Sequence, residues 1–342
     1  MMTGYRHEIS QRRDEASYLN RYLIGWSVVA LVITADWLWV SVCGYSVPGK
    51  GVLDLVRAAT TSLCTAASLF GLAHIRRYTR LTEKLRCRQV ASTLSWLTLL
   101  VSFIAAFDLL QYLCTTVNAP LIDESLLRFD SGFGFHWLEV YLWVHSHPAV
   151  QRILGFAYDS IFVQGLAVPI ILGLTDRRDE LSEFVLVFML SGIVLLLIST
   201  PMPASSAFLH FGVLDPNTSS AVSDFSLLRN GTLRVFEMVP LQGMVSMPSF
   251  HTTLAVLFIY ALRHMPRLLL FSVPLNVTMI LSTPTQGGHY LADVFAGLLL
   301  GALTISTLRS CFSVLANRNA RDAGRGSVSE GVHPLASSSS HP

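Results

Sequence analysis

The chain has 342 residues, 52% of them hydrophobic and 13% charged, with a net charge of +2 and a mean hydropathy of +0.52. Soluble domains carry roughly 25% charged residues, which excludes a soluble globular enzyme. The few basic residues cluster in short segments, a pattern that orients a membrane protein rather than one that builds a nucleic-acid surface.

In chain order, a polar segment over 1–21 reads as a cytoplasmic tail before an uncleaved first helix. Apolar runs then predict about eight spans, near 22–43, 55–75, 90–117, 152–174, 183–200, 248–263, 268–283 and 289–308. The sixth and seventh are joined only by "RHMPR" and read as a tight helical hairpin. The expected fold is all-α, a polytopic membrane helical bundle of about eight transmembrane helices with both termini cytoplasmic. It divides into N-terminal helices over 22–175 and a catalytic core over 180–309, followed by a disordered Ser/Gly/Arg-rich tail over 313–342. The five cysteines show no CxxC spacing, so neither a disulfide framework nor a zinc site is expected.

Basic segments set the orientation. "RRYTRLTEKLRCR" at 76–88, "DRRDE" at 176–180, Arg263 and Arg267, and the arginines of both tails all fall on one side of an eight-span path, the cytoplasmic side by the positive-inside rule. The segments 118–151 and 201–247 then lie on the opposite face, the first holding an aromatic interfacial stretch, "HWLEVYLWVHSHP". The glycosylation patterns at Asn217 and Asn230 fall on that face too. The short chain and its arginine bias point to a bacterial inner membrane.

Two histidines open spans on the same face. In "GGHYLADVFAG", His289 and Asp293 are four residues apart, one turn of a helix. A carboxylate there accepts the proton of one imidazole nitrogen and leaves the other basic, an orienter with its nucleophile. In "MPSFHTTLA", His251 supplies the separate acid that a departing oxygen needs. Ser249 and the N–H groups at the start of that helix suit phosphate oxygens, and Gly288 leaves the backbone open to a ligand. Asp36, Asp108 and Asp159 lie within spans, where they brace helices or meet a headgroup, with bracing the simpler role.

"PSFHT" followed by "GGHYLADVFAG" resembles the second and third signatures of the type-2 phosphatidic acid phosphatase superfamily. The phenylalanine before His251 and the His-Tyr-x-x-Asp form are similar to its inositol phosphorylceramide synthase-like branch. The resemblance covers about 180–308. It implies a helical bundle and metal-independent transfer through a phosphohistidine, with His289 as nucleophile, Asp293 as its orienter and His251 as acid. It also implies a membrane lipid phosphate as substrate, with no cofactor and no nucleic-acid partner. The serine–arginine pair of the third signature falls at Ser282 and Thr283, so the arginine is missing, and the lysine and arginine of the first signature are absent from "TPMPASSAF". The phosphate-binding cations nearest on the correct face are Arg229 and then Arg234. Three functions remain open: a lipid phosphate phosphatase, a lipid phosphotransferase, and a non-catalytic transporter or scaffold with a vestigial site.

Overall fold

A computed structural model describes residues 2–214, 224–238 and 242–329. Among these the chain forms helices α1 (Met2–Cys43), α2 (Gly49–His74), α3 (Thr79–Lys84), α4 (Cys87–Thr115), α5 (Asp123–Gly132), α6 (Trp137–His145) and α7 (Pro148–Leu174). It continues through α8 (Arg178–Ser199), α9 (Ala207–Phe211), α10 (Phe225–Arg229), α11 (Phe250–Ala261), α12 (Pro266–Gln286) and α13 (Leu291–Ser329). Extended pairing among the described residues is limited to one bridge, Ser46 with Val235. The glycosylation pattern at Asn217 and the tail beyond Ser329 lie outside the described residues.

Among the described residues seven helices are long and apolar enough to cross a membrane: Glu15–Cys43 of α1, Leu291–Leu315 of α13, and α2, α4, α7, α8 and α12. The protein is an integral membrane protein with a polytopic helical bundle. A spanning segment must satisfy its backbone internally, and several polar side chains inside these helices do the same by bonding back one turn. Thr98 donates to Leu94 O and Thr304 to Leu300 O. Pro148 and Pro266 stand in the first turn of α7 and α12, where a missing N–H costs nothing.

The expected sixth span, 248–263, proves to be α11, of only 12 residues. At 1.5 Å per residue it covers about 18 Å, against a hydrocarbon core of about 30 Å. The apolar run looked longer because it includes the residues that enter the helix and those that begin the hairpin to α12. Protein surrounds the short helix, with α7, α8, α12 and α13 packed about it. Its Leu254, Ala255, Leu257 and Phe258 join Leu99, Phe103, Phe184 and Val185 of α4 and α8 in the main core.

The helices run back and forth, so the basic connections meet at one end. Arg21 pairs with Asp179 at 2.9 Å, Arg86 donates to Leu174 O at 3.0 Å, and Arg177 donates to His264 O at 3.1 Å. The opposite end collects α5, α6, α9, α10 and the turn between α12 and α13. There Trp137 of α6 is buried and donates its indole N–H to Pro284 O at 2.9 Å.

Helices α11 and α13 approach closely at Gly297. A Cβ at this position would lie 2.5 Å from Ser249 O and 2.9 Å from Thr252 Cβ. Small residues permit such crossings in membranes. Gly297→Ala is therefore expected to destabilise the protein by about 1–3 kcal/mol through overpacking. Gly71→Ala, where nothing lies within 4 Å, should leave thermal unfolding in detergent unchanged, and equal melting of the two variants would contradict the crossing.

Candidate active site

The site is built where α11 and α13 begin. Ser249 caps α11: its hydroxyl accepts from Thr252 N at 3.4 Å, and its own N–H donates to Asp293 O at 3.0 Å. The cap fixes His251 in the first turn. The His251 ring stacks on Tyr158 of α7, with centroids 3.9 Å apart and planes 13° from parallel. Its Nε2 is buried without a hydrogen-bond partner.

His289 is placed by a tight turn. Gly288 has φ of +66°, in the region that favours glycine, and a side chain there would strike the Phe208 ring at 2.6 Å. Its carbonyl accepts from Ala207 N at 2.8 Å. One residue on, His289 is 4% exposed and holds Nδ1 3.4 Å from Asp293 Oδ2. Asp293 is fully buried, and the same oxygen accepts from Ser246 Oγ at 2.9 Å and from Tyr290 N at 3.0 Å. A carboxylate fixed in this way favours the tautomer with the proton on Nδ1, which leaves the lone pair on Nε2.

Helix α5 holds the start of α13 from outside. Asp130, 1% exposed, accepts from Leu291 N at 2.9 Å and Ala292 N at 3.1 Å. These two first-turn N–H groups are thus capped by a distant carboxylate and not left for phosphate. Burial pushes the Asp130 carboxyl above its ordinary range, and the two N–H bonds pull it back. Two turns earlier on the same helix, Asp123 accepts from Tyr290 Oη at 2.8 Å and from both the N–H and hydroxyl of Ser205. Neither aspartate stands out in the sequence; the only signal is their seven-residue spacing, which puts both on one helical face.

His251, His289 and Gly287 share the wall of a cavity of about 620 Å³ between α4, α7, α8 and α11. Asp108, Gln111 and Asp159 line it as well, while its remaining wall is largely apolar. Val101, Phe162 and Leu166 belong to this lining and are also 43%, 75% and 52% exposed on the outside of α4 and α7, so the cavity opens sideways, towards hydrocarbon.

The other sequence-predicted residues fall around it. Ser249 and Gly288 shape the two turns without lining the cavity. Arg229 donates Nη2 to Ala119 O at 2.7 Å and lies over the Phe225 ring, and burial lowers its guanidinium pKa. Arg234 sits nearer the bridge to Ser46, its Nε 3.4 Å from Gly231 O. Neither arginine lines the cavity, and among the described residues no lysine or arginine does. Asp36 is buried in α1, away from this lining.

Removing the cap tests the clamp. Asp130→Ala should cost about 0.5–2 kcal/mol of stability, as cap losses do. If Asp130 fixes the register of His289, any turnover should fall while apparent substrate affinity holds, with partial rescue in Asp130→Asn, whose oxygen still accepts one N–H. Equal loss in both variants would point to a merely structural role.

Residues 124–307 match the family model of the PAP2 superfamily. No curated protein and no solved structure gives a significant match. The matched segment spans more than half of the chain, from α5 into α13, and contains His251, His289 and Asp293. The chain belongs to the PAP2 superfamily.

Proposed function

We propose that the protein is a membrane lipid phosphoryl-transfer enzyme working through a phosphohistidine at His289. The observation that carries this reading is one cavity wall holding two imidazoles, His289 backed by Asp293 and His251 stacked on Tyr158, with a sideways opening towards lipid. Superfamily membership supports a phosphatase-type enzyme in general.

In the proposed reaction, Nε2 of His289 attacks phosphorus and a P–N bond forms as the bond to the leaving oxygen breaks. His251 gives its proton to that oxygen. It then takes a proton from water or from an acceptor hydroxyl, whose oxygen displaces His289 from phosphorus. Asp293 holds the His289 ring and offsets the positive charge that develops on it. Two imidazoles and a carboxylate supply nucleophile, acid and base without a metal. Positioning and electrostatics carry most of the rate, as in phosphoryl transfer generally.

The "PSFH" and "HYLAD" forms support the inositol phosphorylceramide synthase-like branch, in which the acceptor is a lipid hydroxyl. Water as acceptor uses the same intermediate and gives a lipid phosphatase. With the basic end in the cytoplasm, the cavity faces the other side of the membrane.

In mixed micelles with chelator, phosphatidic acid, a polyprenyl phosphate, or phosphatidylinositol with ceramide would be supplied, and free phosphate and new lipids measured together. His289→Ala should abolish both products and any acid-labile phosphoenzyme. His251→Ala should lower turnover by about 10²–10⁴. Phosphate release alone identifies a phosphatase, and a new phosphorylated lipid without release identifies a phosphotransferase. Full activity in His289→Ala would refute the mechanism, whereas a wild-type protein that turned over nothing across the panel would favour a vestigial site.

A further inference from the structure

The two imidazoles are held by different means. His289 faces a carboxylate, with Nδ1 3.4 Å from Asp293 Oδ2. His251 has Nε2 buried with no hydrogen-bond partner among the described residues, and its ring meets the face of a phenol instead. The centroids of His251 and Tyr158 are 3.9 Å apart and their planes 13° from parallel. Tyr158 is 6% exposed on α7 and lines the cavity with both histidines.

The far end of the same side chain reaches the turn that carries the other histidine. The Tyr158 hydroxyl lies 2.7 Å from the place a Cβ on Gly287 would occupy, and His289 Cδ2 lies 2.8 Å from that same place. Glycine at 287 is what lets the phenol and the His289 ring close on one point of backbone. Tyrosine has only two side-chain torsions before its rigid ring. Buried between the two, it works as a stiff spacer.

In-line transfer makes a demand on that spacing. A P–N bond forms at His289 while the bond to the leaving oxygen breaks on the far side of phosphorus. The electron pair of the broken bond goes to that oxygen, which takes the proton of His251. The acid must therefore stand across the phosphorus from the nucleophile, and a displacement of about 1 Å costs about 10²-fold. A carboxylate on His251 would fix the ring but also hold its proton. A ring face fixes the plane and leaves the N–H to the leaving group.

We infer that Tyr158 is a positioning residue for the acid step. Stacked on His251 and wedged against the turn from Gly287 to His289, it sets the acid in register with the nucleophile. The inference rests on the reading of His289 as phosphoryl acceptor and His251 as acid.

The test uses pairs of donors that differ in their need for a proton. Phosphatidic acid is set against 4-nitrophenyl phosphate, and phosphatidylinositol against inositol 1-(4-nitrophenyl phosphate). The lipid alkoxide must be protonated as it leaves, whereas nitrophenolate departs unaided. Formation of the phosphoenzyme is followed by rapid quench of the full-length protein in detergent. Tyr158→Leu should slow transfer from the lipid donor about 10²-fold, with apparent affinity unchanged, and leave transfer from its nitrophenyl partner close to wild type. Tyr158→Phe keeps the ring face and should remain close to wild type on both. Val168→Ala, a buried change further along α7, should leave the ratio between the two donors as it is. A second readout needs no turnover: diethyl pyrocarbonate should acylate His251 faster in Tyr158→Leu than in wild type or Tyr158→Phe, as read by mass spectrometry. Equal slowing on both donors, a Phe variant as slow as the Leu variant, or unchanged labelling of His251 would each overturn the inference. A wild-type protein that forms no phosphoenzyme from any of the four donors, yet labels as expected, would instead sink the reading of His289 and leave the stack as the device that orients His251.

Discussion

Asp293 ties the site together because both ends of the residue are engaged. Its carboxylate faces His289 and accepts from Ser246 and Tyr290 N, while its backbone carbonyl accepts from Ser249 N, the cap of the neighbouring helix. A fully enclosed carboxylate is costly without such partners. Meeting its needs brings the start of α11, the start of α13 and the strand of chain before Ser249 to one point. The two histidines share a cavity because this residue is shared.

A second layer holds the first. Asp123 and Asp130 project from one face of α5 and reach Tyr290, Leu291 and Ala292, the residues between His289 and Asp293. Asp123 also holds Ser205, which lines the cavity with Ser206, so α5 links two walls of the site. The rigidity of the His289–Asp293 turn therefore comes from a helix far away in sequence. It does not come from α13 alone.

The sequence displayed what is local and hid what is distant. Apolar runs marked the spans because a segment in hydrocarbon must be long, apolar and self-bonded. The His289–Asp293 pair was visible because one helical turn separates its members. Asp123 and Asp130 were not, because their partners lie about 160 residues on, and a lone aspartate in an amphipathic segment resembles any solvated one. Arg229 shows the reverse: its position on the correct face suggested a phosphate contact, but facing does not determine direction; its Nη2 is held by Ala119 O, its Nη1 is buried without a partner, and it does not line the cavity. Asp108 and Asp159 were noticed as ionisable groups within spans. Only the packing of α4 against α7 brings them into the cavity of the histidines.

The shortness of α11 has a consequence for depth. Its far end reaches the basic face, where Arg263 pairs with Glu183 at 2.7 Å, and the helix covers about 18 Å of a roughly 30 Å core. Its first turn, with His251, then lies roughly 10 Å beneath the opposite surface. For the lipid substrate proposed above, a headgroup reaching the imidazoles would leave the water layer and sink into its own leaflet, its tails staying among their neighbours beside the gap between α4 and α7. Access is thereby coupled to the local thickness of the bilayer: a thinner leaflet shortens the descent, and a thicker one lengthens it.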